Sequence, residues 1–285
     1  MMRTKQTVTS LVILTLFLTA APVLADTAEE TFAKGETLLR NGDFSAALQS
    51  YATAARADQS NPEYMQHYTM MRRIVDLRNR LNTETNPQRW EYMAKGLRAF
   101  YASEQIYPDL LKLDQELHLR LKSADSAAML AETQLALDQN AAATKTLSLE
   151  PSEATEMTQS LLGIALVRCG KTDSAKQIAE KLSLPGDASP SVTYAAARLY
   201  AATGDSARAI GLLSACFQAV APSQLEGFKS RAKQCPEFAA IASNPEFARA
   251  LETKSKVPES KCSEGSSCAG CPMSRKCPKS QNDRK

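Results

Sequence analysis

The sequence predicts an all-α protein built as an array of antiparallel helix hairpins, and three observations carry that expectation. Small residues recur at fixed spacing: Gly163, Gly170 and Ala175 in one stretch, then Ala197, Gly204 and Ala209 in another, 34 residues further on. Gly35, Gly42 and Ala47 repeat the arrangement near the N-terminus. Apolar residues recur between them at helical intervals, as Leu38, Leu48 and Tyr51 do in the first copy and Tyr200, Ile210 and Leu213 in the last. Composition agrees, since Ala and Leu are abundant while Gly and Pro number only 11 and 13 among 285 residues. A fixed period of this size is the mark of a helical repeat array.

The spacing has a physical basis. Gly42, Gly170 and Gly204 stand where a first helix must end, in the left-handed position that Gly occupies without steric cost. Asp43 and Asp205 follow at once, where a short acceptor caps the second helix. Gly35, Gly163 and Ala197 lie inside first helices. A mid-helix Gly costs about 1 kcal/mol relative to Ala, so close approach of a neighbouring helix is the reason to expect it there.

Taken in order, the chain opens with Arg3 and Lys5, an apolar run from Leu11 to Leu18, and Val23-Leu24-Ala25 before Asp26. These are the parts of a secretory signal peptide, residues 1–25, with cleavage before Asp26. The apolar run is short for a span of about 20 residues, so export without a stable membrane anchor is expected, to the periplasm or the cell exterior. Residues 26–252 form the helical domain. Clear repeats occupy 28–61, 156–189 and 190–221, and degenerate ones occupy 62–155. Pro62 opens a long helix, Pro87 the next and Pro108 its partner, Pro being tolerated in a first turn. The arginines of the long helix (Arg72, Arg73, Arg78, Arg80) read as a solvated face. The aromatics of 62–107, Trp90 among them, read first as packing between hairpins and second as a peptide groove. Asn140 stands where a repeat Gly would sit, the second choice for a left-handed turn. Residues 222–252 read as a cap over the last hairpin, with Pro236-Glu237-Phe238 echoed by Pro245-Glu246-Phe247.

This pattern resembles the tetratricopeptide repeat (TPR). Gly35, Leu38, Gly42, Asp43, Phe44, Ala47, Tyr51 and Ala54 fall on the family's preferred types in the first copy, and the later two copies keep the small residues. The resemblance implies a right-handed superhelical solenoid whose first helices line a concave groove for a protein or peptide. On the repeat frame the lining positions are Phe32, Glu36, Leu39 and Arg40, then Ile164, Val167 and Arg168, then Tyr194 and Arg198. The family's clamp for chaperone C-termini needs Lys and Asn where Phe32 and Glu36 stand, so that partner class is not supported. The mixture of apolar residues and arginines suits an extended segment with apolar and acidic anchors.

Residues 253–285 change character: large apolar side chains nearly vanish, and the segment cannot form its own core. Within it Cys262, Cys268, Cys271 and Cys277 are spaced C-x5-C-x2-C-x5-C. Three states compete. Two disulfides are the default in an exported protein, and three pairings are open. A four-thiolate zinc site suits the same ligands. An iron–sulfur cluster is the third, Cys277-Pro278 resembling one end of a ferredoxin motif. Cys169 and Cys216 read as packing residues, and a Cys216–Cys235 bridge would tie the last repeat to the cap.

Net charge is +3, which removes a global basis for nucleic-acid binding. No nucleophile elbow, phosphate loop or paired metal-ligand histidines appear. His67 and His118 each stand alone on a helix, and Asp114 with Glu116 reads as ordinary helix-surface charge. The expected function is therefore a non-enzymatic exported adaptor that binds a protein or peptide. Its rival is a metal-handling or thiol-redox protein in which the cysteine tail works and the array mounts it.

Overall fold

The computed structural model describes residues 27–149 and 152–258. The expected signal peptide, residues 150 and 151, and the cysteines at 262, 268, 271 and 277 lie outside the described residues. Regular structure among the described residues is entirely helical, and the chain divides into two compact units between Arg80 and Leu81.

The first unit holds α1 (Ala28–Arg40), α2 (Phe44–Ala57) and α3 (Pro62–Leu81), the last of which ends at the division. Thr27 and Glu30 form a reciprocal capping box at the start of α1, and Asn61 Oδ1 accepts from the Glu63 amide at the start of α3. Gly35 is where α1 meets α2. A Cβ on it would lie 2.8 Å from Tyr51 Cε1, so the missing side chain is what makes room for the tyrosine ring against the helix.

The second unit runs through α4 (Pro87–Ser103), α5 (Tyr107–Leu121), α6 (Ala124–Ala136), α7 (Asn140–Thr146), α8 (Glu156–Arg168), α9 (Thr172–Lys181), α10 (Pro190–Thr203), α11 (Ser206–Ala219) and α12 (Pro222–Gln234). A 3-10 turn (Pro236–Ile241) and α13 (Pro245–Leu251) follow. Each first helix packs on its own partner, and α8 packs on both α6 and α10. One continuous core runs from Ala128 to Phe247, centred on Leu161, Leu199, Leu213, Phe217 and Phe238. At Gly163 an added Cβ would stand 2.3 Å from Leu199 Cδ1, so this glycine sets the approach of α10 to α8.

One turn closes every hairpin. The left-handed residue is Gly42 (φ 77°), Gln105 (57°), Asp138 (55°), Gly170 (76°) and Gly204 (93°) in turn. The next amide always reaches back to the carbonyl five residues earlier: Asp43 to Leu38 at 2.9 Å, Ile106 to Tyr101 at 2.9 Å, Gln139 to Gln134, Lys171 to Leu166 and Asp205 to Tyr200 all at 2.8 Å. From Gln105 on, these turns are spaced 33, 32 and 34 residues apart, so the degenerate hairpins keep the repeat. Asn140 does not take the left-handed position expected of it. Asp138 does, and Asn140 begins α7. Asp43 and Asp205 cap α2 and α11 as expected, accepting from Ala46 and Arg208 amides at 3.0 and 3.1 Å.

Two further expectations are corrected. Cys216 and Cys235 are free thiols with separate acceptors, the Pro190 carbonyl and Glu237, and form no bridge. Asp114 is fully buried rather than a surface charge. Each histidine is the only one on its helix, as expected, with neighbours from other helices: His67 lies among Phe32, Tyr51 and Glu36, and His118 Nδ1 stands 3.2 Å from Ser126 Oγ. The helix-packing reading of the aromatics holds for Trp90, Phe100 and Tyr101, which are buried, while Tyr92 is 83% exposed. Past α13 the backbone returns to the end of α11, where the Lys256 amide donates to Gln218 O at 2.8 Å and Ser255 Oγ to Val220 O at 2.6 Å. No helix among the described residues is long and apolar enough to cross a membrane.

Candidate functional site

The first helices of the second unit bring Arg168, Tyr194 and Arg198 to one place. Tyr194 and Arg198 stand one turn apart on α10 and so share a face. Arg168 ends α8, which Gly163 holds close to α10. The side chains converge on Glu237, from the 3-10 turn. Glu237 Oε1 accepts from Arg168 Nε at 2.8 Å and Nη2 at 2.5 Å. Glu237 Oε2 accepts from Arg198 Nε at 3.0 Å and from the Cys235 thiol at 2.9 Å. Arg168 Nη1 also donates to Leu135 O at 2.7 Å, on one of the last carbonyls of α6, where a cation is favoured.

The carboxylate is only 4% exposed, yet it stays ionised. Burial alone would raise its pKa. Arg198, the Cys235 thiol and Arg168 outweigh that effect and hold it at about 2, against an ordinary 4.5. Arg198 loses solvation in turn, but Glu237, Cys235 and Tyr194 together more than compensate and keep it firmly charged. Burial pushes the Cys235 thiol and the Tyr194 phenol up, so neither is a poised nucleophile. Beside the carboxylate, Phe238 is buried edge-on to Tyr194, centroids 5.9 Å apart, and Tyr194 packs edge-on to Phe228 at 5.7 Å. Arg231 lies over the Phe228 ring at 4.2 Å.

The other candidates are placed differently. Ile164 is fully buried in the core, and Leu39 is 2% exposed, so neither presents a side chain to a ligand. Both lie on the inward side of their helices, where the hairpin interior claims them. Val167 is half-buried beside Arg168. In the first unit Phe32 stacks among Tyr64, His67 and Tyr51 at 4.8, 4.9 and 5.3 Å. Glu36 accepts from the Tyr51 hydroxyl at 2.7 Å, and His67 Nδ1 lies 3.3 Å away, close enough to pair when protonated but outside hydrogen-bond geometry. Arg40 is exposed, 3.9 Å from Glu36. These positions hold one another within that unit.

Sequence reasoning missed a second buried cluster. Arg98 Nε donates to Asp114 Oδ1 at 2.7 Å, Thr133 Oγ1 to Asp114 Oδ2 at 2.6 Å, and Arg98 Nη2 to Met129 O at 3.2 Å. The cluster pins α4, α5 and α6 together. Here burial dominates and raises the Asp114 pKa despite Arg98 and Thr133. One arginine does not offset the desolvation that two arginines and a thiol offset at Glu237.

The described residues contain no cluster of three or more His, Cys, Asp or Glu able to hold a metal. Residues 190–213, which include α10, match the family model of the tetratricopeptide repeat. No curated protein gives a significant match to the sequence. Among solved structures, a tetratricopeptide repeat protein from Parabacteroides merdae is similar at 17% identity and a TM-score of 0.43, over 79% of this chain and 93% of that one. A thermophilic TPR protein of Thermus thermophilus is similar at 16% identity and a TM-score of 0.38, over 79% of this chain and all of that one. The chain thus resembles tetratricopeptide repeat proteins, by sequence at residues 190–213 and by its array of helix hairpins.

Proposed function

We propose that the chain is an exported, non-enzymatic adaptor that holds a segment of a partner protein against α6, α8 and α10. One observation carries this reading: Arg168, Tyr194 and Arg198, the positions the repeat frame marks as groove-lining, already grip an acidic and an aromatic side chain, Glu237 and Phe238. Salt-bridged carboxylate capture beside an aromatic wall is binding chemistry. The resemblance to tetratricopeptide repeats supports a protein-interaction scaffold. The charged start, apolar run and Ala25 cleavage position support export, with cysteines 262, 268, 271 and 277 joined as disulfides outside the cytoplasm.

The test is binding of the mature chain, from Asp26 to Lys285, to a display library of short peptides, read by enrichment. Recovery of a defined peptide class supports an adaptor, whereas a flat library result opposes it. Intact mass with and without reductant decides the tail: a gain of four protons on reduction supports two disulfides, and zinc retained with four free thiols contradicts them.

A further inference from the structure

Building on the adaptor reading of the same groove, we propose that Glu237-Phe238 is a resident ligand. The groove of α6, α8 and α10 recognises a glutamate followed directly by an aromatic residue, and the chain's own copy fills it until a partner segment of the same chemistry displaces it.

A cap needs only apolar cover for the last hairpin. Phe228, Phe238, Ile241 and Phe247 supply that cover. A buried glutamate is not needed for that cover, because a buried ion pair is commonly no more stabilising than an apolar residue of similar volume. Its presence is explained by recognition: two guanidinium groups from two different helices each take a separate oxygen of one carboxylate.

The same tripeptide occurs twice, which provides an internal comparison. In Pro245-Glu246-Phe247 the phenylalanine is buried, but Glu246 stays at the surface and, among the described residues, its carboxylate pairs with Arg249 of its own helix alone. The sequence Pro-Glu-Phe does not bury its glutamate by itself. The arginines of α8 and α10 do so at Glu237.

The backbone of the segment is itself lightly held. It is a 3-10 turn of six residues, a form with poor hydrogen-bond geometry. Its backbone bonds stay local, from the Phe238 amide to Cys235 O at 3.1 Å and from the Ala242 amide to Ala239 O at 3.4 Å. The side chains of Glu237, Phe238 and Ile241 make its buried contacts, and a competing segment offering the carboxylate and the ring replaces those made by the first two. Cys235 reports the exchange, because its half-buried thiol donates to Glu237 Oε2.

The probe is a synthetic heptapeptide of residues 235–241 with serine in place of the cysteine, beside a scrambled control and a copy with glutamine in place of glutamate. Alkylation at Cys235 in the mature wild-type chain is followed by mass spectrometry. Saturating peptide is expected to raise its rate about tenfold, and the two control peptides to leave it unchanged. Direct binding is measured by anisotropy on wild type and on the double variant Glu237→Gln/Phe238→Ala, which is expected to bind about tenfold more tightly because the resident competitor is lost. Equal affinity of the two chains, or an unchanged Cys235 rate at saturation, overturns the proposal. If the double variant does not fold, the wild-type alkylation alone decides. A variant that dimerises by exchanging caps would make a second copy the occupant and also overturn it. Should the library recover peptides without the glutamate–aromatic pair, the adaptor reading survives and the resident ligand does not; if no peptide binds, both fall.

Discussion

Arg168 and Glu237, 69 residues apart in sequence, meet through two guanidinium nitrogens on one carboxylate oxygen, at 2.8 and 2.5 Å. The partnership has a pH signature. The folded-state pKa of Glu237, about 2, lies below its ordinary 4.5. Its contribution is therefore complete above about pH 4.5 and is lost as pH falls towards 2. Glu237→Gln is expected to destabilise the second unit at pH 7 by on the order of 3 kcal/mol. The gap between variant and wild type, from urea midpoints, should shrink steadily between pH 4.5 and 2. A gap that stays constant with pH would show that the carboxylate charge is not what the arginines hold.

Asp114 makes the opposite case. Its raised pKa means that the folded state holds its proton more tightly than the unfolded chain, so this group favours folding most at low pH and its contribution falls as pH rises through its unfolded and then its folded value. Asp114→Asn keeps an acceptor for Thr133 and is expected to cost about 1 kcal/mol. Asp114→Ala strands the Arg98 guanidinium and should cost about 3–5 kcal/mol. Equal losses for the two variants in thermal or urea unfolding would contradict this account.

Glycine-to-alanine substitutions should split by location. At Gly163 the added Cβ meets Leu199, so Gly163→Ala is expected to destabilise by about 1–3 kcal/mol. Combining it with Leu199→Val should cost less than the two singles together, since the smaller side chain vacates the same space. Gly211 in α11 and Gly227 in α12 have nothing within 4 Å of where a Cβ would stand, and alanine at either should stabilise by about 0.5–1 kcal/mol. Calorimetry on the variants tests the split.

Gln105 takes a left-handed conformation, at φ 57°, that glycine adopts without strain. Gln105→Gly should therefore raise the stability of the second unit by about 1 kcal/mol. A fall in melting temperature would mean that the glutamine side chain contributes more than its backbone strain costs.

The framework was legible wherever a side-chain type alone betrays the backbone. Gly42, Gly170 and Gly204 mark three turns because only glycine is free there, and Gly35 and Gly163 mark close approaches for the same reason. The turns at Gln105 and Asp138 were hidden because hydrogen bonds to Tyr101 and Gln134 impose the conformation on residues that do not prefer it. Asn140, the better left-handed residue by type, lies two positions late. In the site, the repeat frame of the resemblance pointed to Arg168, Tyr194 and Arg198, yet the same frame named Ile164 and Leu39, which turn inward to the core. Glu237 and Asp114 could not be found in advance. Each is an acid on a helix or turn like any other until a guanidinium from a distant stretch closes over it, and no local pattern encodes that meeting.

In most stacked-hairpin proteins each repeat feels only its immediate neighbours, and such a chain peels from an end one unit at a time. Arg168 breaks that rule. A single side chain at the end of α8 holds the Leu135 carbonyl of the preceding hairpin and, past the whole α10–α11 hairpin, the glutamate of the cap. Under a steady pull on the C-terminus, the cap and the last two hairpins should resist as one body and release in one large step rather than three small ones. With Arg168→Ala the same pull should unzip them in sequence at lower force.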